Sequence, residues 1–193
     1  MKGQAHFIEF VLVTLLSIVL VAAIAFLIFG FYRNITENDA RQSLRQISIQ
    51  VSDEATRLYN VARGSRAQPT NYTSLLISEV NLNLPRQISN KNYDVILVSA
   101  SQLVPIISAV TVNNTNISSV ISNSNAKVLT RLDADPDIEV EYDIPNIDVS
   151  VQGRANNGQN ATLRYYRYNI NGTIYDTIVL GPYDIIVSIS GVS

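Results

Sequence analysis

An apolar run near its beginning constrains this chain more than any other feature. No charged residue occurs between Phe10 and Tyr32. At ~1.5 Å per residue, a helix of roughly 23 residues is ~35 Å long and spans a hydrocarbon core ~30 Å thick. A secretory signal peptide is the alternative, but its apolar region is ~7–15 residues long and a small-residue cleavage site follows it. The run therefore predicts a membrane helix that is retained.

A second helical pattern follows this run. Residues 35–63 contain neither proline nor glycine, and their apolar side chains recur at steps of three and four, which places them in one stripe. The stripe consists of Leu44, Ile47, Val51, Ala55, Leu58 and Ala62. Gly64-Ser65 then marks a helix end. We predict one long helix over residues 4–66, apolar over 7–32 and amphipathic over 35–63, whose stripe packs on the domain that follows.

From about Ser74 the apolar residues alternate instead, in short runs bounded by Asn, Gly, Pro or Asp. The clearest runs are YDVILVSA, AKVLTRL, DIEVEYD, NIDVSVQG, ATLRYYRYNI, TIYDTIVL and DIIVSIS. Asn171-Gly172 joins two of them and indicates a hairpin, because a type I′ turn needs positive φ at both central positions. No amphipathic helix lies between the runs. Residues 74–193 are therefore predicted to form an antiparallel β-sheet or small sandwich, and the chain an α+β protein.

The residue types present exclude several functions. The chain has no cysteine and one histidine, His6, which lies before the apolar run. Disulfide scaffolds and thiol nucleophiles are thereby excluded, and the usual acid–base residue and transition-metal ligand are missing from the later domain. A net charge of −2 without a basic block in the second half argues against nucleic acid. We predict no enzyme, no cofactor and no metal. Hydrolysis by paired carboxylates is the least supported alternative, since no acid pair stands out.

Acidic residues occupy every second position of the segment DADPDIEVEYD, from Asp133 to Asp143. Within a strand such residues share one face. A calcium-binding EF-hand loop would need glycine at its sixth position and an acid at its twelfth, where Ile138 and Ile144 stand. We therefore interpret the segment as a solvated face that protects a sheet edge.

Basic and aromatic residues alternate from Arg164 to Tyr168, a pattern that can stack on nucleic acid. In a strand, Arg164, Tyr166 and Tyr168 face one way while Tyr165 and Arg167 face the other. We interpret this segment as ordinary sheet surface, with a contact between subunits as the alternative.

Glu9 stands at the edge of the apolar run, where an isolated carboxylate costs about a few kcal/mol unless it has a partner or an aqueous edge. One interpretation places it in the headgroup zone. The other gives it a positive partner when helices bundle, such as the freed α-amine of a neighbouring copy.

Lys2-Gly3-Gln4, followed by Glu9 and the long apolar helix, resembles the class III signal peptide of archaeal type IV pilin-like proteins. In that family a prepilin peptidase cuts after the small residue, and the helix is kept as the filament core. The resemblance implies that residues 1–3 are a leader, that cleavage follows Gly3, and that Gln4 becomes the N-terminus. It also implies that Glu9 serves assembly by pairing with a neighbour's N-terminal amine. The family's glutamate is usually fifth in the mature chain, whereas Glu9 would be sixth. The GQ…EF start is also similar to bacterial TadE-like minor pilins.

This resemblance implies a structural subunit of an extracellular filament. The precursor would be a single-pass membrane protein with its C-terminal domain outside, and its partners would be other copies or other pilins, the membrane and the peptidase. Arg33, Arg41 and Arg45 follow the apolar run, and the positive-inside rule disfavours that orientation. The alternative function is an uncleaved membrane-anchored β-domain that acts as an adhesin or envelope interaction module.

Six asparagines stand in Asn-X-Ser/Thr sequences, the acceptor pattern for N-glycosylation. They are Asn34, Asn71, Asn113, Asn116, Asn160 and Asn171. Outside the cell we expect two or more to carry glycan, with Asn113 and Asn116 favoured, whereas Asn171 is also explained by its turn.

Overall fold

The computed structural model of the chain describes residues 2–71, 73–100, 110–112, 121–122, 125–156, 161–170, 172–181 and 185–187. The chain divides into two compact units, Met1–Asp39 and Ala40–Ser193.

Helix α1 (Lys2–Arg63) forms the first unit and continues into the second. Its apolar part is long and apolar enough to cross a membrane. The two hydroxyl residues of that part bond within the helix: Thr14 Oγ1 donates to the Phe10 carbonyl and Ser17 Oγ to that of Val13, both at 2.8 Å. Such internal hydrogen bonds satisfy polar groups that would be costly in hydrocarbon.

Within the described residues, ten strands follow α1, and eight of them form one sheet. The order in that sheet is β1-β8-β9-β7-β2-β5-β6, with β4 beside β2, while β10 and β3 pair separately. The strands are β1 (Ser74–Asn81), β2 (Tyr93–Ala100), β3 (Val110–Val112), β4 (Ile121–Ser122), β5 (Lys127–Leu132), β6 (Glu139–Asp143), β7 (Ser150–Asn156), β8 (Thr162–Ile170), β9 (Thr173–Leu180) and β10 (Ile185–Val187). The predicted α+β class is confirmed.

Two neighbouring pairs in the sheet, β7–β9 and β2–β4, are parallel, and the other pairs are antiparallel. Strand β9 lies between β8 and β7 in the sheet. It is antiparallel to β8, with which it forms a hairpin, and it runs in the same direction as β7. Strand β9 is reached by the hairpin predicted at Asn171-Gly172. Ile170 pairs with Thr173 across a two-residue connection, and Gly172 has φ of 82°. That hairpin is confirmed.

The amphipathic half of α1 packs on one face of the sheet. All six residues of the predicted stripe are buried, and they share one core cluster with Val95, Leu97, Val151, Leu163 and Ile178. The stripe is therefore confirmed. Hydroxyl contacts fix the register of α1 over β5 and β6: Ser48 Oγ lies 2.9 Å from Thr130 Oγ1, and Ser52 Oγ donates to the Asp143 carbonyl at 3.1 Å.

Candidate functional site

The apolar half of α1 is the most unusual surface of the chain. Every residue from Glu9 to Ile35 is exposed in the isolated chain, and its large apolar side chains range from 39% exposed at Val11 to 80% at Phe26. They surround the helix on all sides instead of forming a stripe. A helix that is apolar all round must be buried in a membrane or among other helices.

Gly3 and Gln4, the residues of the predicted cleavage point, lie in the first turn of α1. Glu9 follows on the same helix and its side chain is exposed. A rise of ~1.5 Å per residue separates Gln4 from Glu9 by roughly 7–8 Å along the axis. An amine at Gln4 of a second helix would therefore reach Glu9 if that helix were displaced axially by about this distance.

Two of the six predicted glycosylation sites lie in the described residues. Asn34 is exposed on α1, and its Oδ1 accepts a hydrogen bond from Asn38 Nδ2. Asn71 is exposed in a turn, and its Oδ1 accepts one from the Gly172 amide at 3.2 Å. Acceptor asparagines are typical of surface loops, so Asn71 is the better placed. Asn113, Asn116, Asn160 and Asn171 lie outside the described residues.

The acidic segment lies on the outermost strand, as the edge interpretation predicts. Glu139, Glu141 and Asp143 are exposed on β6, the last strand in the order. Lys127 on β5 pairs with Glu141 at 2.8 Å, and this hydrogen bond and charge raise the pKa of Lys127. In the part of the chain that the structure describes, no group of three or more His, Cys, Asp or Glu is placed to hold a metal ion.

Helix α1 also covers the outer edge of β6. Two hydrogen bonds show which residues of this segment face β5: the Leu132 amide donates to the Ile138 carbonyl, and the Ile144 amide donates to the Ala126 carbonyl. Backbone groups alternate in direction along a strand, so the carbonyls of Glu139, Glu141 and Asp143 point away from β5. Arg41 donates to the carbonyls of Asp137 and Glu139, at 3.1 and 3.4 Å, and Ser52 donates to that of Asp143. Side chains of α1 therefore occupy two of the three outward carbonyls.

The interpretation of Arg164–Tyr168 as ordinary sheet surface is wrong. Tyr165, Tyr166, Arg167 and Tyr168 are all buried, so both faces of β8, an interior strand between β1 and β9, are covered along this segment. Burial raises the pKa of Tyr168 to about 12, so this phenol stays neutral.

Arg167 links the end of α1 to the β8–β9 hairpin. Its Nη1 donates to the carbonyls of Ser65 and Ala67, each at 2.9 Å, while Nε and Nη2 donate to the two carboxylate oxygens of Asp176 at 2.8 and 3.2 Å. Such a forked pair is geometrically specific. Its role here is structural, because it fixes the chain where the helix ends.

Among the described residues of the second unit, two hollows lie on the surface. One, of about 200 Å³, lies between α1 and β1 and is lined by Leu58, Val61 and Val80 among others. The other, of about 470 Å³, lies beside the Lys127–Glu141 pair. The first is smaller than the ~300–1,000 Å³ of typical ligand pockets, and the second is an open depression around an ion pair. The exposed surface of α1 remains the candidate functional site.

Comparison with protein-family models, with curated proteins and with solved structures gave no match to this chain.

Proposed function

We propose that this chain is a structural subunit of a type IV pilin-like extracellular filament, assembled by packing of its N-terminal helices. The observation that carries the proposal is the apolar surface that surrounds α1 from Phe10 to Tyr32. Burying one large apolar side chain contributes about 1.5–3 kcal/mol. A bilayer buries this surface in the precursor, and neighbouring copies of the helix bury it in the polymer.

The leader sequence supports the same proposal. Removal of residues 1–3 would place a positively charged amine on Gln4, close to the carboxylate of Glu9. A carboxylate among packed apolar helices needs a cationic partner, and the amine of a displaced neighbour supplies one. The domain after α1 would then lie outside the cell, where Asn71 is an accessible acceptor for glycan.

Two measurements on protein from native cells test this function. Mass spectrometry should find Gln4 as the first residue and report glycan on the sequons, and negative-stain microscopy should show filaments that contain the chain. Intact Met1 together with single detergent-bound molecules would contradict the proposal.

A membrane-anchored interaction module is the second candidate. The observation in its favour is that Ala40–Ser193 is a compact unit with its own core, which a membrane helix could simply tether. The residue found at the mature N-terminus separates the two functions, because a tether has no need of cleavage after Gly3.

A further inference from the structure

Asp94 is a buried acid in the apolar strand β2. The side chain is 1% exposed, and its neighbours Tyr93, Val95 and Leu97 belong to the core under α1. Because side chains alternate along a strand, Asp94 faces the opposite side of the sheet. A buried carboxylate is costly unless its oxygens have partners.

The two oxygens of Asp94 differ in their surroundings. Oδ2 accepts from Arg154 Nη2 on β7 and lies 3.6 Å from Arg131 Nε on β5. Oδ1 is equally buried, yet no N–H or O–H donor of the described residues reaches it in hydrogen-bond geometry. A buried acceptor without a donor is destabilising, because it has lost its hydrogen bonds to water and gained none in the protein. The described residues other than Asp133 therefore supply no proton donor to Oδ1.

Asp133 is the group positioned to provide that donor. Arg131 is in register with Asp94, and Asp133 lies two residues further along, just past the end of β5, where it is exposed to solvent at the rim of the site. Its backbone amide donates to the Asn92 carbonyl at 3.0 Å, which holds it beside β2.

The electrostatics of Asp133 agree with this geometry. Burial, then the charge of Asp94 and a hydrogen bond with Asp94, raise the pKa of Asp133, against the opposing charges of Arg154 and Arg131. Two adjacent carboxylates that cannot both ionise freely can be bridged by one proton.

The other groups packed around the pair can be named strand by strand. Asn156 on β7, which is neutral, is in register with Asp94, and Glu139 on β6 is in register with Arg131. The two guanidiniums beside Oδ2 disfavour a divalent cation at the site. A proton adds only a single charge and supplies a directional donor.

We propose that Asp133 and Asp94 share one proton, which Asp133 donates to Asp94 Oδ1, and that this proton makes the second unit more stable in mildly acidic surroundings. The contribution is complete below the ordinary carboxyl pKa and is lost as the pH rises through the raised pKa of Asp133. The affected corner joins β2 to β5 and leads into the turn before β6, whose Asp137 carbonyl is held by Arg41.

Thermal unfolding of the full chain in detergent tests the proposal. As the pH is lowered through the range just above the ordinary aspartate pKa of ~3.9, the wild-type Tm should rise relative to that of Asp133→Asn by about 1–3 °C, a small change because Asp133 is exposed to solvent. At neutral pH, Asp133→Asn should melt higher than wild type, because its amide donates to Oδ1 at every pH.

Asp137→Asn is the matched control, since it removes an exposed acid from the same turn and should keep the wild-type pH profile. A carboxyl ¹³C NMR titration of the full chain provides a second measurement. Superimposed pH profiles of wild type and Asp133→Asn, or an Asp133 pKa at or below the ordinary value, would overturn the proposal. So would calcium raising the Tm of wild type alone, since a cation and not a proton would then fill the site.

Discussion

At the scale of single residues, Glu9 separates assembly from membrane insertion. Glu9→Ala removes the only acid at the edge of the apolar run, so we expect insertion to persist or improve while filaments are lost. The reason is that the N-terminal amine of a neighbour then has no carboxylate to pair with. Membrane fractionation and negative-stain counting of filaments on the same cells measure the two effects.

Glu37→Ala is the control for that experiment. It removes the same side chain from α1, but Glu37 lies beyond the apolar run in an exposed pair with Arg33, at 2.7 Å. An exposed pair of this kind contributes about 0–1 kcal/mol. Normal filaments in Glu9→Ala, or their equal loss in both variants, would contradict the role proposed for Glu9.

Residues whose role depends on distant partners were the hardest to predict from sequence. Arg167 looked like part of an exposed strand, yet it is buried because the end of α1 and the β9 residue Asp176 both bond to it. Asp94 did carry a local signal, since an acid inside the apolar run YDVILVSA needs partners wherever the strand is buried. Its partners Arg131 and Arg154 come from separate strands, and a single sequence does not pair them.

At the scale of elements, the buried stripe of α1 should determine the stability of the second unit. Leu44→Ala should lower the free energy of unfolding by about 2–5 kcal/mol, because Leu44 is fully buried beneath the sheet and truncation leaves a cavity. Val61→Ala, on an exposed position of the same helix, should change it by less than about 0.5 kcal/mol. Denaturant unfolding of the full chain in detergent, followed by near-ultraviolet circular dichroism, measures both. Equal effects would mean that the stripe does not form the core.

The strands and the turn that were predicted correctly are those whose sequence pattern is local. The bounds of β2 and β9 match the alternating runs, and the turn at Asn171-Gly172 fixes the register of β8 with β9. Strand β7 begins at Ser150, later than the run NIDVSVQG, because Asn146 adopts a positive φ in a turn. The parallel pairing of β7 with β9 depends on the strand order, which alternation does not encode.

At the scale of the whole molecule, we expect the second unit to fold and stay in solution without the first. The whole described core cluster, from Ala40 to Leu180, lies within the second unit. A fragment of residues 39–193, which keeps Asp39 as a helix N-cap, should therefore be folded, monomeric and soluble without detergent. Circular dichroism and sedimentation velocity check this, with the full chain in detergent as the reference. A fragment that still polymerises would show that the apolar helix is not the assembly surface.

The covered edge of β6 has a consequence for symmetry. A sheet grows without limit only if the strand at one end can join the strand at the other end of the next copy. Here Arg41 and Ser52 occupy two of the three outward carbonyls that such a joint would use. The other end of the main sheet is β1. If two copies joined through their β1 strands, the contact would be self-complementary and the assembly would stop at a dimer. An open-ended array of this protein therefore has to be propagated by a head-to-tail contact elsewhere on the chain.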